Sequence, residues 1–175
     1  MGHFAPYFAK RIYEKKILID LDMEKQHSKN IQVVLDILKN EVDGDVAAAL
    51  QKMTDDYTMT WVDTVIESNE LFPTTEGKDI KKELEDAYPI KGRKYEIKNI
   101  AEGEDVVMVE LIESYPDPKT GEVYRTPIVL ALEMKDGKIR TGRHYLDPRI
   151  AQKNLSNKEI EKAFKNSKGV KIEIE

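Results

Sequence analysis

The part of the sequence between residues 94 and 146 constrains the fold more than any other. Four segments rich in β-branched and aromatic residues follow one another there, separated only by short stretches of turn-forming residues. The stretch before the last segment contains Asp136-Gly137, a strong hairpin signal. Because hairpins join neighbouring strands, the sequence predicts an antiparallel meander, with strands at Tyr95/Ile97, Val106–Tyr115, Tyr124–Met134 and Ile139–Leu146.

Two helices are predicted where the regular pattern begins. Apolar residues recur at helical spacing after Ser28, and Ser28 or Asn30 can cap a first helix that runs to about Glu41. Asp45 can cap a short Ala-rich helix over Val46–Met53. These two helices are close in sequence and predict a tight hairpin.

A strand and a third helix lie between this hairpin and the meander. Tyr57, Met59 and Trp61 alternate with polar residues, which predicts a strand whose aromatic face points inward. Apolar residues at helical spacing from residue 80 onward predict a helix that Pro89 stops. The order helix, helix, strand, helix and meander is typical of an α+β fold with helices against one face of a curved sheet.

The chain divides into an N-terminal extension (1–27), a domain (28–150) and a C-terminal extension (151–175). The N-terminal extension carries a cluster of aromatic residues and then an alternating stretch at 17–23 that predicts a strand. The aromatic cluster either docks on the domain itself or contacts a membrane or a partner. Docking on the domain is favoured because exposed aromatic patches are costly in a soluble monomer.

The C-terminal extension is predicted to be helical over most of its length. Asp147-Pro148 supplies an N-cap and a first-turn proline, and Ser156 begins a capping-box pattern, so helix is expected until Gly169. Residues 170–174 alternate between apolar and charged and predict a last strand, which can pair with residues 17–23.

Composition excludes several kinds of chemistry. The chain has 175 residues, no cysteine and three histidines, which excludes disulfides, thiolate zinc sites and cysteine nucleophiles and disfavours a histidine metal site. We therefore expect no metal and no cofactor. The apolar runs are too short to span a bilayer and none resembles a signal peptide, so a cytoplasmic protein without a membrane partner is expected. The net charge of −5 gives no reason to expect nucleic acid.

Two short signatures accompany this element order. Asp43-Gly44-Asp45 lies between the first two helices, and Asp136-Gly137-Lys138-Ile139 leads to Arg143-His144-Tyr145-Leu146-Asp147. Over residues 28–150 this arrangement resembles the nuclear transport factor 2-like superfamily, and within it the SnoaL-like branch. The resemblance implies a cone-shaped, curved antiparallel sheet wrapped around helices, an apolar pocket for a small ligand, and a homodimer formed through the sheet.

The same superfamily includes ketosteroid isomerase, limonene epoxide hydrolase, polyketide cyclases and dehydratases. Aligned on the two signatures, the isomerase's general-base aspartate corresponds to Trp61, and its oxyanion-hole tyrosine and protonated aspartate correspond to positions near Ile37 and Val129. Apolar groups can neither move a proton nor hold an enolate, so the isomerase's reaction is disfavoured.

The epoxide hydrolase uses two aspartates that flank an arginine. By the same alignment the aspartates correspond to Glu113 and His144, and the arginine to Leu111. The resemblance therefore implies that one carboxylate is kept, one is replaced by imidazole, and the arginine is lost.

Glu113 and His144 are the candidate catalytic residues. Glu113 shares the more apolar parity of its strand, where burial would raise the pKa of its carboxyl towards values useful for proton transfer. His144 has a parity that can face the same cavity, so the two can form an acid/base pair. Alternatively, Glu113 is solvated or paired with Arg125 across the hairpin, and His144 makes a structural hydrogen bond or is exposed at a strand end.

Aromatic and apolar residues supply the candidate ligand pocket. These side chains can line a cavity for a flat or greasy molecule, although the same alternation also suits an ordinary core. The predicted pocket residues are Tyr57, Met59, Trp61, Tyr88, Tyr95, Leu111 and Val129.

Three functional hypotheses follow. The first is a SnoaL-like domain that holds a small, largely apolar molecule and carries out cofactor-independent acid/base chemistry, such as hydration, dehydration or isomerisation. The second is a binding module without turnover. The third is an association domain that binds a partner protein through its sheet and its extra termini.

Overall fold

The computed structural model of the protein describes residues 27–65, 70–151, 153–165, 167 and 172–175. The aromatic cluster and the strand predicted within the N-terminal extension lie outside these residues. The helices of the described part are α1 (Lys29–Asp43), α2 (Val46–Gln51), α3 (Gly77–Ala87) and α4 (Asn157–Ala163). Its strands are β1 (Met53–Trp61), β2 (Thr64–Val65), β3 (Glu70–Leu71), β4 (Thr74–Glu76), β5 (Lys94–Glu102), β6 (Val106–Pro116), β7 (Val123–Lys135), β8 (Lys138–Tyr145) and β9 (Ile172–Ile174).

The predicted helix caps are present. The Ser28 hydroxyl accepts a hydrogen bond from the backbone N–H of Ile31 at 3.1 Å, at the start of α1. Asp45 accepts one from Ala48 at 2.9 Å and begins α2. Between the two helices, Gly44 adopts a left-handed conformation with φ 74°, which a residue with a side chain rarely adopts. The sharp turn brings α2 back towards β1.

Seven strands form one curved, unclosed sheet in the order β4-β1-β8-β7-β6-β5-β9. The pairs from β5 to β8 are antiparallel, as the predicted meander requires. β1 pairs with β8 in parallel, so the sheet is mixed rather than wholly antiparallel. β1 and β8 can pair in parallel because α3 and the six strands β2 to β7 separate them in sequence and provide the long connection that such a pair needs.

Register shifts mark where the strands bend. They occur between Met53 and Thr58 of β1, between Ile97 and Asn99 of β5, and within β7. An extra residue in one strand of a pair increases the local bend and twist. The sheet therefore curves around the helices, and the predicted α+β fold is confirmed.

The main core lies between the inner face of the sheet and the helices α1 and α3. Val107, Val109 and Leu111 alternate along the inner face of β6 and are fully buried. Val34 of α1 and Ile80 of α3 belong to the same buried cluster. Burial of apolar surface at roughly 25 cal/mol per Å² is the main force that holds these layers together.

The segment after β1 contains more strand than the sequence predicts. No strand is predicted from the sequence between Trp61 and the helix that begins near residue 80, yet β4 lies there and pairs with β1. A separate two-stranded sheet, β2 with β3, precedes it. These strands are two or three residues long, and such short pairings give no periodic pattern that could be recognised in a sequence.

The predicted helix at Asp147 is wrong. The Asp147 carboxylate does accept a hydrogen bond from the backbone N–H of Arg149 at 2.9 Å, as an N-cap would, but only a single turn follows, in which Ala151 N–H donates to Asp147 O at 3.1 Å. Helix begins only at Asn157, after the predicted capping box of Ser156 and Glu159, and α4 ends at Ala163 rather than Gly169.

The C-terminal extension packs on the sheet. β9 pairs antiparallel with β5, and Ile174 belongs to the main core. The predicted partner of this strand, residues 17–23, lies outside the described residues.

In addition to the pairing of β9, an earlier part of the C-terminal segment, residues 153–160, lies on the outer face of the sheet. The backbone N–H of Arg125 donates to Lys153 O at 2.8 Å, and its guanidinium donates to Leu155 O at 3.0 Å. Ile112 on the outer parity of β6 and Ile160 of α4 are both buried, although neither belongs to the main core. The C-terminal segment therefore covers part of the sheet's outer face.

Candidate functional site

A cavity of about 250 Å³ lies between the inner face of the sheet and the helices α1 and α3. Its wall is mostly apolar and aromatic, with a few polar side chains, which is typical of sites for small molecules. The polar and titratable residues in the wall are Glu41, Tyr57, Glu83, Tyr88, Arg93, Tyr95, Glu113 and His144.

Arg93 is the centre of a buried polar cluster in this wall. Its side chain is only 7% exposed, and Nη1 donates to Glu113 Oε1 at 3.0 Å. Nη1 is also ion-paired with Glu41 and lies 3.4 Å from the Tyr95 hydroxyl, while Nη2 donates to Ala87 O at 3.1 Å. Two carboxylates thus share one guanidinium, and Nε is buried without a partner among the described residues.

Three different elements bring this cluster together. Glu41 lies one helical turn after Ile37 on the face of α1 that packs on the sheet, since residues four apart share a helix face. Arg93 comes two residues before Tyr95, and Glu113 two residues after Leu111, on the inward parity of adjacent strands. The Arg93 guanidinium also makes a cation–π contact, since it lies 5.3 Å from the centre of the Tyr115 ring.

Burial changes the acidity of these groups. Desolvation raises the pKa of Glu113 to about 7, and the nearby Glu41 carboxylate adds to the rise, whereas Arg93 opposes it. Burial also raises the pKa of the Tyr95 hydroxyl well above its usual value, so this hydroxyl stays protonated. The Glu113 carboxyl therefore exchanges its proton close to neutral pH, whereas an exposed glutamate is fully ionised there.

His144 lies elsewhere in the same cavity. It is opposite Trp61 in the parallel pair of β1 and β8, and its backbone carbonyl accepts from Val62 N–H at 2.8 Å. The ring atom Nδ1 is buried and has no hydrogen-bond partner in the described part of the chain. Desolvation lowers the pKa of His144 to about 4, so its imidazole is neutral at pH 7.

Glu113 and His144 face one cavity but do not form a bonded pair. On β7, Glu113 is opposite Thr126 and His144 is opposite Leu130. Four residues along a strand correspond to roughly 13 Å, and the two residues lie on strands that flank β7 on either side. An acid/base pair in direct contact is therefore not formed, and a ligand or water would have to lie between them.

Two tyrosine hydroxyls add unused hydrogen-bonding capacity. Tyr57 is 3% and Tyr88 4% exposed, both line the cavity, and no hydrogen bond to either hydroxyl is found within the described residues. Burial raises the pKa of both hydroxyls above their usual value. Each is therefore a protonated donor available to a ligand.

Gly142 leaves room for the side chains on this side of the cavity. A Cβ atom at this position would lie 2.7 Å from Met59 Cε and 3.1 Å from the Tyr57 hydroxyl oxygen. Both side chains cross over β8 at the glycine. The shape of the cavity wall thus depends on the absence of a side chain there.

Comparison with known proteins identifies the fold. No family model and no curated protein matches the sequence. Among solved structures, the epoxide hydrolase/cyclase-like enzyme SalBIII of salinomycin pyran-ring formation has a TM-score of 0.58 at 15% identity, covering 71% of this chain and 95% of that chain. An LEH-like epoxide hydrolase from M. tuberculosis has a TM-score of 0.55 at 18% identity, with 72% and 88% covered.

A candidate SnoaL-like polyketide cyclase from Shewanella putrefaciens is also similar, with a TM-score of 0.57 at 13% identity, covering 71% of this chain and 84% of that chain. This chain has the nuclear transport factor 2-like fold. The resemblance inferred from its two short signatures is thereby confirmed at the level of the fold, and the fold alone assigns no reaction.

Within the nuclear transport factor 2-like fold, most of the predicted pocket residues line the cavity. They are Tyr57, Met59, Trp61, Tyr88 and Tyr95, together with both candidate catalytic residues, Glu113 and His144. Leu111 is fully buried in the core and is not part of the cavity wall. Val129 has the opposite parity to the lining residues Ile128 and Leu130, and it is opposite Tyr145, so it lies on the outer face of the sheet.

The structure also decides the alternatives for Glu113. Arg125 does not pair with it, because Arg125 is on the outer face and its guanidinium binds Glu96 at 2.9 Å. Glu113 is instead bound by Arg93. The arginine that the resemblance located at Leu111 is absent there, but Arg93, immediately before the neighbouring strand β5, supplies a guanidinium from another direction.

Sequence reasoning missed Arg93, Glu41 and Glu83 in the cavity wall. Two of them, Arg93 and Glu41, carried a signal in the sequence. Arg93 has the same parity as Tyr95, and Glu41 continues the apolar helical spacing of α1, so each is a charged residue in a series of buried positions. Charged residues are almost never buried without partners, and such positions identify candidate sites.

Membrane-spanning helices and clustered metal ligands are both absent from the described residues. No helix among them combines the length and the apolar character needed to cross a bilayer. Nor do they contain three or more histidine, aspartate or glutamate side chains grouped closely enough to hold a metal ion.

Proposed function

We propose that this protein binds a small, largely apolar molecule in its cavity and carries out cofactor-independent acid/base chemistry on it, such as hydration, dehydration or isomerisation. The proposal rests chiefly on the Glu113 carboxyl, which faces the largely apolar and aromatic cavity and has a pKa of about 7. A general acid or base works best when its pKa lies near the working pH. Epoxide hydrolases and a candidate cyclase among the structural neighbours are compatible with this class of reaction.

In this mechanism Glu113 is the proton-transfer group. Its protonated form donates to a leaving or epoxide oxygen, and its ionised form accepts a proton from water or from carbon. Arg93 fixes the carboxylate through a 3.0 Å hydrogen bond and stabilises the charge that remains after the proton leaves. Neutral His144 accepts from, or donates to, a water or a polar group at the other end of the ligand. Tyr57, Tyr88 and Trp61 form the walls.

Turnover can be tested with small probes for each reaction. We would follow 1,2-epoxyhexane hydration and 3-cyclohexenone isomerisation by NMR, with wild type and with Glu113→Gln. The substitution should lower any turnover at least about 100-fold, the usual scale for loss of a general acid or base. Glu110→Gln is the matched control, because Glu110 is on the same strand but on the outer parity, where Asn99 hydrogen-bonds to it. Equal loss in both variants would contradict the assignment.

The second candidate is binding without turnover. It is favoured by the separation of Glu113 and His144 along the sheet and by the ion pair that holds Glu113. The chain has one tryptophan, Trp61, and it lines the cavity, so its fluorescence reports occupancy directly. Probes that change Trp61 emission but are recovered unchanged after long incubation would support this alternative. A protein-association role remains the third proposal.

The protein is further proposed to be a homodimer formed through the outer face of the sheet. The C-terminal segment leaves Met108 and Tyr145 exposed on that face, at 47% and 38%. Tyr145→Glu should convert a dimer into a monomer in sedimentation velocity, whereas Leu71→Glu, on the separate β2–β3 hairpin, should not. A wild-type monomer would contradict the proposal.

A cytoplasmic location is proposed from the sequence alone, and cell fractionation tests it.

A further inference from the structure

The cavity contains more negative than positive charge. Among its described lining residues there are three carboxylates, Glu41, Glu83 and Glu113, and one guanidinium, Arg93. His144 adds no positive charge near neutral pH, because desolvation keeps its imidazole neutral. When all three carboxyls are ionised, the formal charge of the wall is therefore −2. Even with one proton on Glu113 the wall remains negative.

Arg93 offers little to an anionic ligand. Its Nη1 atom is already bound by Glu41 and Glu113, and its Nη2 atom donates to a backbone carbonyl. Only Nε is without a partner in the described part of the chain. A carboxylate or phosphate entering the cavity would meet a guanidinium that two carboxylates have already neutralised, and it would be repelled by the carboxylate in excess.

The rest of the wall suits an organic cation. Tyr57, Tyr88, Tyr95 and Trp61 all line the cavity. The faces of such rings attract ammonium groups, and the attraction grows when the cation is desolvated. The Tyr57 and Tyr88 hydroxyls, both on side chains more than nine-tenths buried, have no partner within the described residues and can bind further polar atoms of a ligand.

We propose that the ligand is an apolar molecule with one cationic amino or quaternary ammonium group, held by the Glu41–Arg93–Glu113 cluster and the tyrosine rings. This inference rests on the proposed function, because it names the class of molecule that the cavity binds. The volume of about 250 Å³ limits its size. At about 30 Å³ per water molecule, that space corresponds to roughly eight waters, or a ligand of about ten non-hydrogen atoms.

Three probes of equal heavy-atom count test the charge preference. Benzyltrimethylammonium is the cation, neopentylbenzene is its uncharged isostere, and 3-phenylpropanoate is an anion of the same size. Binding to the full chain would be followed by Trp61 fluorescence and by calorimetry at pH 7.5. The cation should bind at least 10-fold more tightly than the isostere, and the anion should bind most weakly.

Variants connect the preference to the cluster. Glu41→Gln and Glu113→Gln should each reduce the cation-to-isostere ratio at least three-fold. Glu85→Gln should leave it unchanged, since Glu85 is exposed on α3 and pairs with Lys81. Thermal unfolding would check that each variant is folded, and the wild-type comparison of the three probes does not depend on any variant.

The outcomes separate this inference from the proposed function. Equal binding of cation and isostere would overturn the charge preference but leave the apolar cavity as a binding site. Tightest binding of 3-phenylpropanoate would overturn it in favour of an anion site at Arg93. If none of the three probes bound, both the inference and the proposed binding function would be overturned.

Discussion

Arg93 is a buried cation held between two carboxylates, and its replacement should lower the stability of the folded protein. In Arg93→Met, Glu41 and Glu113 would face each other without a counter-charge. Loss of one partner from a buried ion pair typically costs about 3–5 kcal/mol. We expect a loss of that size in the free energy of unfolding, measured by urea denaturation at pH 8.

The same variant should recover stability in acid. Protonation of Glu113 removes its repulsion with Glu41, so the deficit of Arg93→Met relative to wild type should shrink between pH 8 and pH 5. Arg93→Lys keeps the positive charge but loses the guanidinium that binds both carboxylates. Its free energy of unfolding should lie between those of wild type and Arg93→Met. A deficit independent of pH would indicate that only packing is lost.

Glu113 links stability to pH. The folded pKa is about 7 and the ordinary value is 4.5, so the folded state binds more protons between these two pH values. Its contribution is greatest below pH 4.5, and stability falls as pH rises through 7. At 1.36 kcal/mol per pKa unit the full loss is about 3 kcal/mol. Glu113→Gln should flatten the stability profile between pH 5 and pH 8, as measured by denaturation at each pH. An unchanged slope would argue against the raised pKa.

At the scale of elements, β1 and β8 depend on Gly142. In Gly142→Ala the new methyl group would press on Met59 Cε, 2.7 Å away, and because this atom ends a flexible side chain we expect about 1 kcal/mol, the low end of the usual cost of overpacking. Met59→Ala should remove the clash. The double variant should therefore be more stable than the sum of the two single changes predicts, in a double-mutant cycle followed by thermal unfolding. Strict additivity would contradict the contact.

How well the elements could be predicted depended on their length and on their partners. α1, α2 and the strands β5–β8 have regular periods, local caps and hairpin turns, and the sequence predicts all of them. The helix expected at Asp147 does not continue beyond a single turn in the described residues, although the Asp147 carboxylate accepts from the backbone N–H of Arg149 as an N-cap does. The short strand β4 depends on pairing with β1, and no local pattern in Thr74–Glu76 indicates that pairing.

The candidate site was predictable only in part, because contacts between separate elements leave no local pattern in the sequence. Parity along single strands identified Glu113, His144 and the aromatic wall, because alternation fixes which face a side chain occupies. The pairing of Glu113 with Arg93 and Glu41 required knowing how α1, β5 and β6 come together. The approximately 13 Å between Glu113 and His144 along β7 likewise follows from register, and one strand alone does not contain that information.

For the whole molecule, the C-terminal segment contributes to stability. It buries Ile160 and Ile174, and complete burial of each such side chain is worth about 1.5–3 kcal/mol. Removal of residues 153–175 should therefore lower the free energy of unfolding by about 3–6 kcal/mol, measured by chemical denaturation. Ile160→Ser keeps the chain length and should lower the free energy of unfolding by less than the truncation does. A truncated chain of unchanged stability would show that residues 153–175 do not stabilise the rest of the fold.

The parallel pairing of β1 with β8 also determines when the cavity can form. β8 follows β1 by more than eighty residues at the Trp61–His144 contact, so this pair has the longest loop to close among the main strand pairs. The meander from β5 to β8 can assemble through local hairpins, whereas β1 must wait for β8. During synthesis on the ribosome, the chain therefore exposes the aromatic side chains of β1 until the last strand of the meander has emerged.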